Sequence, residues 1–284
     1  MKLPIVVIGD TQRTLLLERL MGREQNDAER AQILAVAANE RPGAFIFLGD
    51  LVGWGASEAQ WAVFDDFAKG IVRSGTAVRA IFGNHDYLGG RRASERNLLR
   101  RFSDPGISKW WSEDANGLRV LFLDSNRHVL SGPEWTKQST WFRAELARAD
   151  EDLSVKGVMV VLHHPPYSNS RIPGGARWVE SDFVPPFLAS GKTLAMVSGH
   201  VHAYEKFAVD GRYFFVAGGG GGPRVRLLEG DRRLHVDLYS GPSPRPFHYL
   251  RVEARPDGID LVAIGFAKGD RSPKEFDRTT LKYR

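Results

Sequence analysis

The sequence predicts an α/β domain with two packed sheets and flanking helices. Three observations point there. Short apolar runs alternate with helical stretches through the first part of the chain. The later part, from about Tyr204, is rich in strand-like pairs around turn signals. No repeat and no linker separates the two parts, so residues 1–284 are expected to pack as a single domain.

The elements follow in order. Ile5 to Ile8 is a buried strand that ends in Gly9-Asp10-Thr11-Gln12. A polar segment leads to a helix from about Asp27 to Glu40, which Pro42-Gly43 stops. Ala44 to Leu48 is the second strand and ends in Gly49-Asp50. Trp61, Phe64, Phe67, Ala68 and Ile71 then recur at helical spacing and read as core. The third strand, Val78 to Phe82, runs into Gly83-Asn84-His85-Asp86.

A basic helix is expected over Ser94 to Phe102, and Leu118 to Leu123 is a strand ending in Asp124-Ser125-Asn126. Glu134 to Ala149 is amphipathic, with Trp141, Phe142 and Leu146 on one side. Gly157 to Leu162 is a strand ending in His163-His164-Pro165-Pro166-Tyr167. A Pro/Gly-rich loop reaches about Trp178. Thr193 to Val197 ends in Ser198-Gly199-His200-Val201-His202. Tyr204 to Val209 with Arg212 to Ala217, and Phe247 to Glu253 with Ile259 to Phe266, read as hairpins around Asp210-Gly211 and Pro256-Asp257-Gly258.

Composition bounds the function. At 284 residues the chain can bury a sizeable core, and its apolar runs are strand-sized, so no membrane-spanning helix is expected. Cysteine is absent, which removes disulfides and thiolate metal sites. No signal peptide is visible and the cytoplasm is the expected location, although a trimmed export signal is compatible with the sequence. The net charge of +5 is dispersed in pairs such as Arg91-Arg92 and Arg232-Arg233. A mild positive field favours anionic substrates. With no continuous basic track, neither nucleic acid nor membrane is an expected partner.

Five strand ends carry residues able to bind a metal: Asp10, Asp50, Asn84, His163, and the pair His200 and His202. Ligands of open α/β sheets sit beyond the carboxyl ends of strands, so these distant residues can converge. Two carboxylates, three imidazoles and an amide oxygen suit first-row divalent ions. Each has a plainer reading. Gly-Asp and Gly-Asn are turn dipeptides, His163 could be a core residue, and His200 and His202 could face opposite ways. Five coincidences together are a poorer explanation than one site.

The blocks Gly9-Asp10, Gly49-Asp50, Gly83-Asn84-His85-Asp86, His163-His164-Pro165 and Gly199-His200-Val201-His202 resemble, in order and placement, the signature of the calcineurin-like metallophosphoesterases. Gly199 to Glu205, and His163 to Asn169, resemble the purple acid phosphatase branch. The resemblance implies a four-layer α/β/β/α sandwich of the metallo-dependent phosphatase type with a dinuclear metal centre. It implies that Asp50 bridges two divalent ions. Asp10 and His202 would complete the first site, and Asn84, His163 and His200 the second. His164 would be a neighbour rather than a ligand. Manganese and iron lead the candidate ions, with zinc and magnesium behind.

Two departures stand out. The family histidine two residues after the first aspartate is Gln12 here, an uncertain ligand that could also be a polar loop residue. The purple acid phosphatase tyrosine three residues after the bridging aspartate is Gly53. A first site without either ligand is expected to bind more weakly or to prefer a hard ion such as Mn²⁺.

The expected reaction is hydrolysis of small phosphate esters, monoesters first, by a hydroxide shared between the metals. His85 would assist the leaving group, and Asp86 would hold its ring and favour its protonated form. Cleavage of cyclic nucleotides or other small diesters is the alternative, and a scaffold without activity a more distant one. Arg91 and Arg92 are candidates for phosphate contacts, Tyr167, Asn169 and Tyr204 for cleft lining, and Trp54 for stacking; each could equally be a surface or packing residue.

Overall fold

The computed structural model describes residues 1–73, 75–102 and 108–284. Its strands are β1 (Ile5–Ile8), β2 (Ala44–Phe47), β3 (Ala77–Ala80), β4 (Trp111–Ala115), β5 (Leu118–Phe122), β6 (Gly157–Leu162), β7 (Thr193–Ser198), β8 (Tyr204–Val209), β9 (Arg212–Ala217), β10 (Phe247–Arg255), β11 (Gly258–Phe266) and β12 (Lys274–Lys282). Its helices are α1 (Leu16–Leu20), α2 (Asp27–Asn39), α3 (Glu58–Arg73), α4 (Arg91–Phe102), α5 (Gly132–Glu151), α6 (Arg177–Asp182) and α7 (Val184–Ala189).

The strands form two six-stranded sheets, ordered β12-β11-β10-β1-β2-β3 and β4-β5-β6-β7-β9-β8. β1, β2 and β3 run parallel, as do β5, β6, β7 and β9. The strand-rich last part serves both sheets: β8 and β9 complete one, and β10 to β12 complete the other.

Strand alternation builds the layers. Ile5, Val7, Ala44 and Ile46 face Met159, Val161, Ala195 and Val197 across the space between the sheets. Their neighbours Val6, Ile8, Phe45 and Phe47 turn outward onto Ile33, Leu34, Phe64 and Phe102 of α2, α3 and α4. On the other side, Val158, Val160 and Leu162 pack on Phe142, Leu146 and Phe187 of α5 and α7. A two-residue period with both faces apolar demands cover on both sides of each sheet. The outcome is the α/β/β/α sandwich. Trp61, fully buried in α3, also donates its indole N–H to Gly55 O at 2.7 Å, which ties the helix to the loop that follows β2.

Several elements differ from the sequence expectation. β4 and β12 have no apolar run to announce them. β12 is an edge strand that buries only alternate residues, such as Thr279 and Leu281. α6 and α7 lie beyond the Pro/Gly-rich loop, where no helix was expected. The segment after Gln12, read as polar, contains the short helix α1, whose leucines are not buried. α5 starts two residues before Glu134, because Ser131 caps it and Glu134 accepts from the Ser131 N–H at 2.8 Å.

The inter-sheet layer predicts a graded mutational response. Ile46→Ala, in that layer, is expected to cost about 2–5 kcal/mol and to lower the melting temperature by several degrees. Leu153→Ala, at a residue 95% exposed, should leave it in place. Equal melting temperatures for the two variants would remove Ile46 from the core.

Candidate metal centre

The two sheets present their parallel-strand carboxyl ends on one side of the molecule. From the first sheet, the ends of β1, β2 and β3 bring Asp10, Asp50 and Asn84. From the second, the ends of β6 and β7 bring His163 and His200–His202. The ends are stitched by backbone bonds: Asp10 N to Gly49 O at 3.1 Å, Gln12 N to Asp50 O at 2.9 Å and Gly199 N to His163 O at 3.0 Å.

Three of these residues adopt the left-handed backbone region: Asp10 (φ 62°), Asp50 (φ 51°) and His200 (φ 68°). Non-glycine residues rarely sit there, and such strain clusters at functional sites. It turns each strand sharply at its last residue. Gly83 and Gly199 leave the space that the carboxylates fill. A Cβ on Gly83 would collide with Asp50 Oδ1, and one on Gly199 with Asp10 Oδ2.

The donors fall into two groups. Ligand atoms of Asp10, Asp50 and His202 lie within 4.8 Å of one another, and so do those of His163, His164 and His200. Asn84 Oδ1 lies 3.1 Å from His163 Nε2, which is itself 3.5 Å from Asp50 Oδ2. His202 Nε2 is 3.4 Å from Asp10 Oδ1. Sequence expected Asp10, Asp50 and His202 around one ion and Asn84, His163 and His200 around the other; the geometry gathers the first three, adds His164 to the second group, and sets Asn84 beside His163 and Gln12 beside the first group.

Backbone carbonyls fix which imidazole nitrogens face inward. His163 Nδ1 lies 2.8 Å from Leu48 O, and His202 Nδ1 2.8 Å from Pro223 O. A carbonyl only accepts, so each Nδ1 carries the proton and each Nε2 turns a lone pair toward the carboxylates. Lone pairs facing carboxylate oxygens at this range need positive charge between them. A second proton, on Nε2, can supply that charge at His163: burial opposes it, yet Asp50 and Asp10 outweigh burial and push the imidazole up to about 9. Burial would likewise raise Asp50, but His163 and His85 hold it well below the usual carboxylate range. The residues present therefore fit a cationic centre.

Gln12 is buried and belongs to it. With the nitrogen donating to Asp50 O (2.9 Å) and Asp10 O (3.3 Å), the amide oxygen is left 3.2 Å from the His202 Nε2 lone pair, one more acceptor without a proton of its own. That oxygen faces the first group. Gly53 also has a structural use. A side chain there would run into Leu15, and its carbonyl lies 3.1 Å from His85 Nδ1.

Asp86 requires a correction. It does not hold the His85 ring, which pairs with Gly53 O instead. The Asp86 carboxylate is fully buried and accepts from the backbone N–H groups of Leu51 (2.9 Å), Val52 (3.2 Å) and Gly83 (2.9 Å). It therefore fixes the two loops that carry Asp50 and Asn84. Burial, with Asp50 nearby, pushes it up to about 7. His85 donates its backbone N–H to Asp50 Oδ1 at 2.8 Å and keeps its ring half-buried, outside both donor groups.

Most residues suggested for substrate contact are engaged elsewhere. Arg91 pairs with Glu95 and Glu134 and donates to Val129 O. Arg92 is exposed. The Tyr204 hydroxyl donates to Asp277 at 2.6 Å, deep among Tyr239, His248 and Phe276. Asn169 Oδ1 accepts from the N–H groups of Leu234 and His235. Tyr167 packs against Phe214 and His235. Trp54 is 45% exposed and lies over Gly89.

Sequence reasoning read His164 as a neighbour of the metals and passed over Ser125 and Trp178, which also border the centre. His164 joins the second histidine group by distance. Ser125 Oγ accepts from the His164 backbone N–H at 2.9 Å and lies 2.9 Å from His164 Nδ1. The hydroxyl proton has that nitrogen as its partner, which leaves the proton of a neutral ring on Nε2. Burial and the neighbouring His200 keep His164 neutral. Trp178, on α6, donates to Ser125 O at 2.9 Å and its ring centre lies 5.0 Å from that of His128 and 5.5 Å from that of His164. The polar ending Asp124-Ser125-Asn126 after β5 was the available signal.

The chain was compared with known proteins. The sequence pattern of the calcineurin-like phosphoesterases matches residues 3–204. A probable cyclic nucleotide phosphodiesterase of Rhodococcus erythropolis is 34% identical over 137 residues, 46% of this chain and 41% of that protein. The purple acid phosphatase PPD1 of yellow lupin has a similar fold, with TM-score 0.73 and 16% identity over 98% of this chain and 53% of its own. So does a dimetal phosphatase of Danio rerio, with TM-score 0.63 and 17% identity over 99% and 98%.

Two predictions follow from the buried carboxylates. Asp86→Asn places an amide N–H among backbone donors, and should cost about 1–3 kcal/mol and lower the bound metal per chain. Unchanged melting and metal content, with only a shifted pH–rate profile, would return Asp86 to a role through His85. Glu205, fully buried beside Ser168 and Asn169, is pushed by burial from 4.5 up to about 7. The folded chain then holds more protons than the unfolded chain between these values, so stability falls as pH rises from about 4.5 to about 7. Glu205→Gln should flatten that slope and melt higher than the parent at pH about 8, by up to about 3 kcal/mol. Parallel stability–pH curves would sink this account.

Proposed function

Because the chain belongs to the calcineurin-like phosphoesterase family and is a phosphoric ester hydrolase, we propose that it is a dinuclear-metal phosphodiesterase for small diesters bearing an aromatic group, with cyclic nucleotides as the natural class. The observation that carries this reading is a charge. Among the described residues, no arginine or lysine makes a hydrogen bond or ion pair with Asp10, Asp50, Asn84, His163, His200 or His202. A monoester dianion needs more cationic support than a diester monoanion. The aromatic shelf of Trp178 and His128 supports a planar group beside the centre. The name of the Rhodococcus relative points the same way.

Asp10, Asp50, His202 and Gln12 would hold one ion, and Asn84, His163 and His200 the other, with Asp50 shared. Bound there, two divalent ions would offset charge on the phosphoryl oxygens and supply hydroxide at neutral pH. An oxygen-rich first group favours manganese or iron over softer ions. His164 would donate from Nε2 to a phosphoryl oxygen. His85, with Nδ1 held by Gly53 O, would have to enter the step as the imidazolium, giving its Nε2 proton to the departing alkoxide and leaving the Nε2 lone pair behind.

Hydrolysis of bis(p-nitrophenyl) phosphate and p-nitrophenyl phosphate, with Mn²⁺, Mg²⁺, Zn²⁺ or Fe²⁺ added separately, tests the reading. The diester should have the higher kcat/KM, by about tenfold or more. The reverse order would make the chain a monoesterase. His85→Ala should keep its metal content and lose about 10²–10⁴-fold in kcat toward poor leaving groups, and less toward p-nitrophenolate. Loss of metal in that variant would put His85 among the ligands.

A further inference from the structure

We infer that the face bearing the metal donors docks on anionic lipid surfaces, through α1 and the loops beside it. The inference rests on the surface alone and is independent of which ester is cleaved.

α1 is a five-residue helix that leaves its apolar residues in the open. None of its residues is buried, and Leu16, Leu17, Leu20 and the following Met21 are 69–77% exposed. A helix in a soluble protein normally turns such residues inward. Two further exposed apolar sites lie nearby, at Ile172 and at Leu234 with Val236. Hydrogen bonds place the three segments side by side. Arg23, just after α1, donates to Pro223 O, and Leu228 N and Leu234 N donate to Asn169 O and Oδ1. Each segment leaves the carboxyl end of β1, β6 or β9, the edge where Asp10, His163 and the glycines after β9 meet. The large apolar residues exposed elsewhere, Val72 and Leu153, lie in connections to the opposite ends of strands.

Charge selects the occupant. Arg19, Arg171, Arg226, Arg232 and Arg233 are exposed in these same segments, and none forms an ion pair among the described residues. Against them stand Glu18, Glu229 and Asp231, while Glu24 and Asp237 of the same segments are paired with Arg224 and Arg245. A second copy of the chain would bring the same sign of charge to the contact. An anionic bilayer offers acyl chains to the leucines and headgroup charge to the arginines at once. This is peripheral docking, since no helix among the described residues is long and apolar enough to span a membrane. The sequence expectation of no membrane partner considered spans and basic tracks, and could not register leucines left exposed by folding.

Cosedimentation of the purified chain with phosphatidylcholine vesicles, with and without phosphatidylserine, tests this. The chain should pellet with the anionic vesicles and much less with the neutral ones, and raised salt should weaken the binding. The triple variant Leu16→Ser, Leu17→Ser, Leu20→Ser should bind about tenfold or more weakly, with an unchanged circular dichroism spectrum and unchanged aryl-ester hydrolysis. Arg232→Glu with Arg233→Glu should weaken binding to the anionic vesicles alone, and Leu153→Ser should change nothing. No pelleting with anionic vesicles, or equal pelleting of the triple variant, would overturn the inference. A dimer in analytical ultracentrifugation that the triple variant dissociates, without lipid binding, would assign the patch to a second copy instead.

Discussion

The structure is built around one electrostatic constraint, a fully buried Asp50 carboxylate among other acceptors. Asp10 is equally buried, and the lone pairs of Asn84, His163 and His202 turn toward the same region. Burying one unpaired anion costs several kcal/mol, and gathering acceptors around it compounds the cost. Only positive charge relieves it. The surroundings hold the arrangement against that repulsion. Backbone N–H groups of His85 and His200 reach Asp50 and Asp10, and carbonyls tether the far nitrogens of His163 and His202. Left-handed backbone at Asp10, Asp50 and His200 stores strain that the packed strands beneath sustain.

Those strands explain why the site depends on the whole sandwich. Asp10, Asp50 and Asn84 come from one sheet and the histidines from the other. Their separation is set by the side chains between the sheets, such as Ile46 and Val161. Interiors are close-packed, so a change in that layer moves one half of the donor set against the other. Asp86 fixes the remaining freedom. By gathering N–H groups from the loops after β2 and β3, it locks Asp50 and Asn84 to each other before any ion arrives. A short acidic side chain next to His85 invites a role in proton chemistry. Its three backbone partners give it a mechanical one.

What the sequence reveals and what it hides divide along physical lines. Buried parallel strands are continuous apolar runs, so β1, β2, β6 and β7 are legible, and their polar endings mark the donors. β12 is not legible, because an edge strand needs only every second residue to be apolar. α1 misleads because its apolar residues are where a polar face belongs. At the site, residue type is legible but partners are not. Nothing in Gly83-Asn84-His85-Asp86 says that Asp86 turns away from His85, or that Arg91 is already neutralised by Glu95 and Glu134. Those facts depend on chains of residues tens of positions away.

Four histidines at and beside the centre, His85, His163, His164 and His202, show why the distinction matters. Each is sorted by what lies at Nδ1. A carbonyl there, as at His163 and His202, leaves an Nε2 lone pair for an ion. A hydroxyl whose oxygen already accepts elsewhere, as Ser125 at His164, leaves an Nε2 proton for a substrate oxygen. His85 has the carbonyl of Gly53 and so shares the lone pair of the first kind, but stands outside both donor groups. This is the nitrogen that we propose exchanges a proton rather than binding an ion. This gives Gly53 a meaning beyond a missing tyrosine. A Cβ at that position would meet Leu15 and Gln60, whereas the backbone carbonyl is the atom that sets the tautomer of His85. The departure from the purple acid phosphatase pattern and the placement of the His85 ring are thus two aspects of the same turn after β2.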